Sequence, residues 1–333
     1  MENTKTNPIT QFEEKEFQEF LSTLPKERKL DGTYLYFYQN FWCPSIAIKP
    51  IISFQNHFQA HDSDIILASI PKSGTTWLKA VLYSIANRTR FPTLNHSPLF
   101  TSSPHAIVPF IEFDLYLKNK FPDLESIPEP RIFNTHAPYA SLPSSITDSK
   151  CKIVYVCRNP LDQFISYWQF AFKLPRGEGS DPTPLEEAFE SHCNGIHSFG
   201  PFWNHVLGYW NASLQNPDKV LFLKYEDLKE NGVKCTKRLA EFMGFPFTAE
   251  EELKGVAAEI SEFCSFENLK NLEVNKNGKR PSGAPNSSFF RKGEVGDWRN
   301  HLTPLMAERL EKLIQEKLEG SGLSFSMSCN KDA

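Results

Sequence analysis

The chain has 333 residues, 40% hydrophobic and 13% aromatic, enough apolar material for a substantial core, and disorder as its main state is excluded. Thirty-six Lys and Arg against forty Asp and Glu leave a formal net charge of −4, so no global field draws polyanions and generic nucleic-acid binding is excluded. No apolar run reaches the roughly 18 to 20 residues of a membrane helix and the polar start has no signal-like region, so a soluble cytoplasmic protein without a membrane partner is expected.

In chain order, Phe12, Phe17, Phe20, Leu21 and Leu24 recur among charges, which predicts an amphipathic packing helix within residues 10–30 that ends near Pro25. The aromatic cluster Tyr34, Tyr36, Phe37, Tyr38, Phe41 and Trp42 reads first as a strand and loop buried against the body. A wall of a binding cavity is its second reading. From Asp64 the stretches DIILASI, PKSGTT and WLKAVLYSIANR read as strand, loop and helix.

The same order recurs in CKIVYVC, RNP and LDQFISYWQFAF, where Asn159 caps and Pro160 suits the first helical turn. A further apolar run, KVLFLKY, follows the helical stretch FWNHVLGYWNASL and its Pro217 break. Near-continuous hydrophobic strands alternating with helices point to an α/β fold with a central parallel sheet covered on both faces. No linker interrupts these units, so one domain over 1–333 is expected, with its core at about 60–330 and the N-terminal helix and aromatic segment at 10–60.

The final third differs: EEELKGVAAEISEFCSFENLKNL is helical, whereas NKNGKRPSGAPNSSFF has no periodicity and predicts a mobile lid at about 275–293. A last helix starts at the Thr303 cap and Pro304 and presents Met306, Leu310, Leu313, Ile314 and Leu318 before Gly320.

Ligands of open parallel sheets bind beyond the carboxyl ends of the strands, which directs attention to residues 71–77. In PKSGTTW, Gly74 lets backbone approach a ligand, the N–H groups entering the helix form an anion cradle, and Lys72 adds a full charge. Ser73, Thr75 and Thr76 add hydroxyl donors. Taken alone this is also an ordinary strand-to-helix turn, and it does not match the nucleotide loop GxxxxGK[ST], because its Lys precedes the Gly.

Arg158 follows the second strand, with Ser166 eight residues later on the next helix, and Arg291, Lys292 and Gly293 leave the flexible loop. Three separated basic elements point to a ligand with two anionic ends. His136, just after an apolar run and before Pro138, is either a satisfied structural histidine or a base able to take a proton from a hydroxyl at neutral pH.

The segments IPKSGTTW, RNPLDQFISYW, LKYEDL and RKGEVGDW resemble the four signature regions of the cytosolic sulfotransferases, in order, and the similarity runs from Asp64 to the final helix. CSFENLKNLEVNKNGK and FFRKGEVGDW resemble the plant members in particular. The resemblance implies a single domain with a fold like that of the P-loop nucleoside triphosphate hydrolases. It also implies transfer of a sulfuryl group from 3′-phosphoadenosine 5′-phosphosulfate (PAPS) to a hydroxyl of a small acceptor, without a metal.

By motif position, Lys72, Ser73, Gly74, Thr75, Thr76 and Trp77 would hold the 5′-phosphosulfate, with the Trp77 ring against adenine. Arg158, Ser166, Arg291, Lys292 and Gly293 would hold the 3′-phosphate, and Tyr225 and Phe266 would flank the base. His136 is similar to the family's general base, and Lys72 would act at the leaving oxygen. A loose transition state gathers charge on that bridging oxygen, where a fixed cation binds it better than the ground state.

Five positions depart from the family pattern. Ile70 stands where many members have Tyr, Asn134 replaces a Lys found in many animal members, and Cys264 stands where Thr is frequent. Pro304 and Arg299 alter the animal dimerisation motif, so a monomer is expected. Candidate acceptor-pocket residues are Phe41, Trp42 and Phe170. The plant-like signature implies a flavonoid or other phenol first, with brassinosteroids, hydroxyjasmonates and desulfoglucosinolates as further acceptors. An ATP-dependent small-molecule kinase and a catalytically inactive nucleotide binder are the competing readings.

Overall fold

The computed structural model describes residues 8–91, 93–173 and 183–326. Helix α1 (Pro8–Ser22) stops short of the expected Pro25. Thr23 and Leu24 close its last turn on Phe20 and Leu21, and the Pro25 carbonyl already accepts from the Phe37 N–H, which draws the chain into a sheet. That sheet is antiparallel, β1 (Lys26–Arg28), β2 (Tyr34–Tyr38) and β3 (Phe41–Pro44). The aromatic cluster therefore forms a hairpin where one strand and a loop were expected. Gln39 and Asn40 both have positive φ (49° and 65°), the turn geometry that matches the twist of paired strands. Helix α2 (Ser45–His57) follows and buries Ile48, Ile51 and Phe54.

The central sheet is parallel, with strands β4 (Ile65–Ser69), β5 (Ile132–Thr135), β6 (Lys152–Cys157) and β7 (Val220–Lys224) in the order β5-β4-β6-β7. Side chains alternate across it. Ile153, Tyr155 and Cys157 enter one apolar cluster, while Val154 and Val156 enter the other. Helix α3 (Thr75–Asn87) covers the second face through Leu78, Val81, Leu82 and Ile85. Helices Pro160–Ala171, Phe202–Gln215 and Pro304–Leu318 cover the first. This is the α/β arrangement read from the sequence. Both expected caps are formed: Asn159 accepts from the Leu161 and Asp162 N–H groups, and Thr303 accepts from Met306 N–H.

The stretch NKNGKRPSGAPNSSFF is more ordered than its lack of periodicity predicts. It begins inside the helix Glu273–Asn277, pairs Lys279 with Pro285 and closes on the turn Asn286–Phe289. Asparagine side chains supply its bonds: Asn275 Nδ2 donates to Leu269 O (2.8 Å) and Asn286 Nδ2 to Val274 O (2.9 Å). Such side-chain-to-backbone bonds leave no periodic trace in a sequence. Among the described residues no helix is long and apolar enough to cross a membrane.

Candidate active site

Lys72, His136, Arg158 and Tyr225 each lie within three residues of the carboxyl end of β4, β5, β6 and β7, so the parallel sheet delivers all four to one cleft of about 850 Å³. Lys72 and Gly74 have φ of 73° and 105°, which turns the loop sharply into α3. A Cβ at Gly74 would lie 2.7 Å from the Tyr225 ring, so the position demands glycine on both counts. Gln163 Nε2 donates to Pro71 O (2.8 Å) and ties the loop to the helix after β6. The first turn of α3 has no side-chain cap, so its N–H groups are left for a ligand.

Positive charge gathers at this end. Lys72 Nζ lies 4.0 Å from the Phe170 ring centroid and 5.9 Å from that of Phe289. Desolvation in the cleft, with Lys173, Arg291 and Arg158 nearby, lowers its pKa to about 7. Arg158 is buried, 4.6 Å over the Tyr225 ring, and Arg291 is ion-paired to Asp297. Each keeps a buried Nε without a hydrogen-bond partner. Burial works against the Asp297 charge, yet bonds from Lys292 and Arg291 hold its carboxyl well below the usual range.

The turn that carries Arg291 is pinned in turn. Asp162 accepts from the N–H groups of Gly296 (2.7 Å) and Trp298 (3.1 Å), and Tyr225 OH donates to Gly293 O (3.1 Å). Gly293 has φ of 69°, and a Cβ there would meet the Phe266 ring at 2.6 Å. Tyr225 stands edge-on to Trp77, ring centroids 5.9 Å apart, and Phe266 joins them as a third aromatic side chain lining the cleft.

Past the end of β5, in the same cleft, His136 is 7% exposed, and Nδ1 lies 2.6 Å from Ser69 O. A carbonyl can only accept, so Nδ1 carries the proton and Nε2 keeps its lone pair. Burial, with Lys79, His205 and Lys72 in range, lowers the imidazole to about 3, against the Ser69 bond, so the ring is neutral at physiological pH. Nε2 has no hydrogen-bond partner among the described residues. His205 Nε2 donates to His136 O (3.0 Å), while Tyr155 OH donates to His205 Nδ1 (2.9 Å).

Thr75, Thr76, Ser166 and Phe170 also line the cleft. Ser73 is buried with an unpartnered Oγ and does not line it, and Lys292 is turned to Asp297 at 2.5 Å. Phe41 and Trp42, expected as cavity walls, stand behind it. Phe41 stacks on Phe199 at 6.2 Å within the N-terminal cluster, and Trp42, on the opposite face of the same strand, packs on Phe37 at 5.1 Å. Asn134 donates to Leu67 O (2.8 Å) within the sheet, so it offers the cleft no donor.

Sequence reasoning missed His105, Phe110 and Phe289, which complete the wall beside His136. The Phe110 ring lies 5.4 Å from His105 and 4.9 Å from His136. These residues sit on short or irregular segments, and a phenylalanine there carries no signal that separates wall from core.

The chemistry available is a fixed neutral base facing an aromatic pocket, beside a cationic cradle with unspent donors. The model of the sulfotransferase domain family matches residues 62–322. Cytosolic sulfotransferase 15 of Arabidopsis thaliana is 51% identical over 333 aligned residues, covering 97% of this chain and 92% of that protein. A crystal structure of an Arabidopsis thaliana sulphotransferase superposes with a TM-score of 0.75 at 41% identity, covering 94% and 97% of the two chains. A mouse sulfotransferase crystallised with PAP superposes with a TM-score of 0.66 at 28% identity, covering 86% and 95%.

Proposed function

Because the chain belongs to the sulfotransferase family, we propose that it takes the sulfuryl group of PAPS and transfers it in line to a hydroxyl of a small cytosolic metabolite, with His136 as general base. The observation that carries this reading is the bond from His136 Nδ1 to Ser69 O, which aims an unprotonated Nε2 away from the sheet beside Lys72. The acceptor hydroxyl gives its proton to Nε2 as its oxygen bonds to sulfur. The bond from sulfur to the bridging phosphate oxygen breaks, and adenosine 3′,5′-bisphosphate leaves. Lys72 neutralises the charge that grows on that oxygen, where stabilisation is worth most.

A donor with two anionic ends fits the residues present. Lys72, Thr75, Thr76 and the N–H groups opening α3 would hold the phosphosulfate. Arg158, Ser166, Arg291 and Gly293 would hold the 3′-phosphate, where the two unpartnered Nε atoms are buried donors in want of an acceptor. Trp77, Tyr225 and Phe266 would enclose the adenine. The relative crystallised with PAP supports the nucleotide assignment.

Phe110, Phe170 and Phe289 favour a flat acceptor, so a phenolic or flavonoid hydroxyl is the first choice, ahead of brassinosteroids, hydroxyjasmonates and desulfoglucosinolates. We further propose a monomer that unfolds as one domain in the cytosol, the compartment in the names of its Arabidopsis relatives. The test is a panel of hydroxylated plant metabolites offered with labelled PAPS and, in parallel, labelled ATP, read by product mass. Sulfated product from PAPS alone is expected. Label transferred only from ATP overturns the reading in favour of a kinase, and no product with intact nucleotide binding leaves an inactive binder.

A further inference from the structure

One buried carboxylate next to the base has no part in the transfer as written above. Glu112 lies on an irregular helical turn, Ile111–Leu115, and is fully inaccessible to solvent. Its Oε1 accepts from the Thr135 hydroxyl, from His136 N–H (2.9 Å) and from Ala137 N–H (3.0 Å). Three donors from three consecutive residues thus converge on one oxygen, and the middle residue is His136. The other oxygen, Oε2, is buried with no partner.

This arrangement is costly if packing is its only purpose. Burial raises the Glu112 pKa while the three bonds act to lower it, and a well-packed apolar side chain would avoid the desolvation altogether. The donors themselves explain the acceptor. Beyond the last residue of β5 the chain leaves the sheet, so the His136 and Ala137 N–H groups have lost their ladder partners in a buried place. Glu112 collects both. Tyr209 OH donates to Ala137 O (2.7 Å) and His205 to His136 O, so the peptide is gripped from both sides. Lys79 lies in the same buried layer, its Nζ donating to Val108 O (2.8 Å) over the Phe110 ring.

We propose that Glu112 is the positioning residue of the sulfuryl-transfer site: by gathering the Thr135, His136 and Ala137 donors on one oxygen it fixes the backbone from which the imidazole reaches Ser69 and the acceptor. The proposal rests on His136 being the base. Glu112 touches neither substrate and acts only through the direction of Nε2, and a displacement of about 1 Å at such a group costs about a hundredfold in rate.

The test uses Glu112→Gln, which keeps one acceptor oxygen but places an NH2 group where Oε2 has no partner, and the milder Thr135→Val, which loses one of the three donors. Glu112→Gln is expected to lower kcat about a hundredfold, with acceptor KM and nucleotide Kd within about threefold. Thr135→Val is expected to lose less in the same direction. The imidazole nitrogen spectrum of ¹⁵N-histidine-labelled protein supplies a readout that loss of packing alone does not move. His136, identified by the signal missing in His136→Ala, shows a single Nδ1–H tautomer in the wild type and tautomer averaging in the variants.

Wild-type kcat and an unchanged His136 signal in both variants overturn the proposal. If Glu112→Gln does not fold, Thr135→Val decides alone by the same two measurements. His136→Ala separates the two possible failures. Turnover that survives it removes the base itself, whereas turnover abolished there but intact in both variants removes only the role of Glu112.

Discussion

Around His136 the hydrogen bonds close on one another: Nδ1 has Ser69, the N–H has Glu112 and the carbonyl has His205, and Nε2 has no partner among the described residues. Around Lys72 they do not. Burial, with three cations nearby, lowers its pKa to about 7, and the guanidinium groups of Arg158 and Arg291 each leave a buried nitrogen unpartnered. The first end is built for geometry and is complete without ligand. The second holds mutual repulsion that an anion relieves, so affinity is stored there and direction is stored at His136.

If that division holds, removing the base and removing a cation must fail differently. His136→Ala is expected to lower turnover by about 10² to 10⁴, the usual worth of a positioned base, while calorimetry finds nucleotide affinity within about threefold. A comparable loss of affinity would merge the two ends. Arg158→Ala, by contrast, is expected to weaken adenosine 3′,5′-bisphosphate about tenfold to a hundredfold, the worth of a charge-assisted bond, and to leave plain AMP nearly untouched. Equal losses for the two nucleotides would take Arg158 away from the 3′-phosphate.

Proton linkage sharpens the same contrast. Free Lys72 loses its proton near pH 7, and an anion beside it favours the charged form, so the bound pKa lies higher. Between the two values binding takes up a proton, and affinity for the bisphosphate should fall as pH rises above about 7, by at most about tenfold per unit. Lys72→Arg, which stays charged, should flatten that slope. At His136 the imidazole stays neutral across the range, so it adds nothing to the slope.

The cationic end was the legible one. Each strand of the parallel sheet was an apolar run closely followed by a polar or charged residue, and the topology of a parallel sheet brings strand ends together whatever lies between them. Lys72 and Arg158 could therefore be placed in one cleft from local pattern, whereas Tyr225 was reached only through the family resemblance. The other end escaped because its partners come from irregular chain. Glu112 and His105 lie on short turns between strands, and their distance from His136 in sequence carries no period. For Phe41 and Trp42 an aromatic residue shows only that something is buried, and the strand pleat sends the two rings to opposite faces, Phe41 into the N-terminal cluster.

The segment at 275–293 joins the two ends, and it yields the smallest effect. It carries Phe289 against His105 (4.1 Å between ring centroids) and Phe170 (5.4 Å), then Arg291 beside the Asp297 carboxylate. Much of it is exposed at Lys276, Asn277 and 281–283, where a protease can reach the backbone, while Asn275, Asn286 and Ser288 are buried anchors. If the segment is the lid its sequence predicts and Arg291 meets a 3′-phosphate, bound nucleotide should reduce its transient opening by mass action. Saturating bisphosphate should slow proteolysis within 275–293 severalfold, and Arg291→Ala should lose that protection while keeping sites elsewhere unchanged. Equal cutting with and without nucleotide would confine the anion to the strand ends and leave this segment a fixed wall of the acceptor pocket.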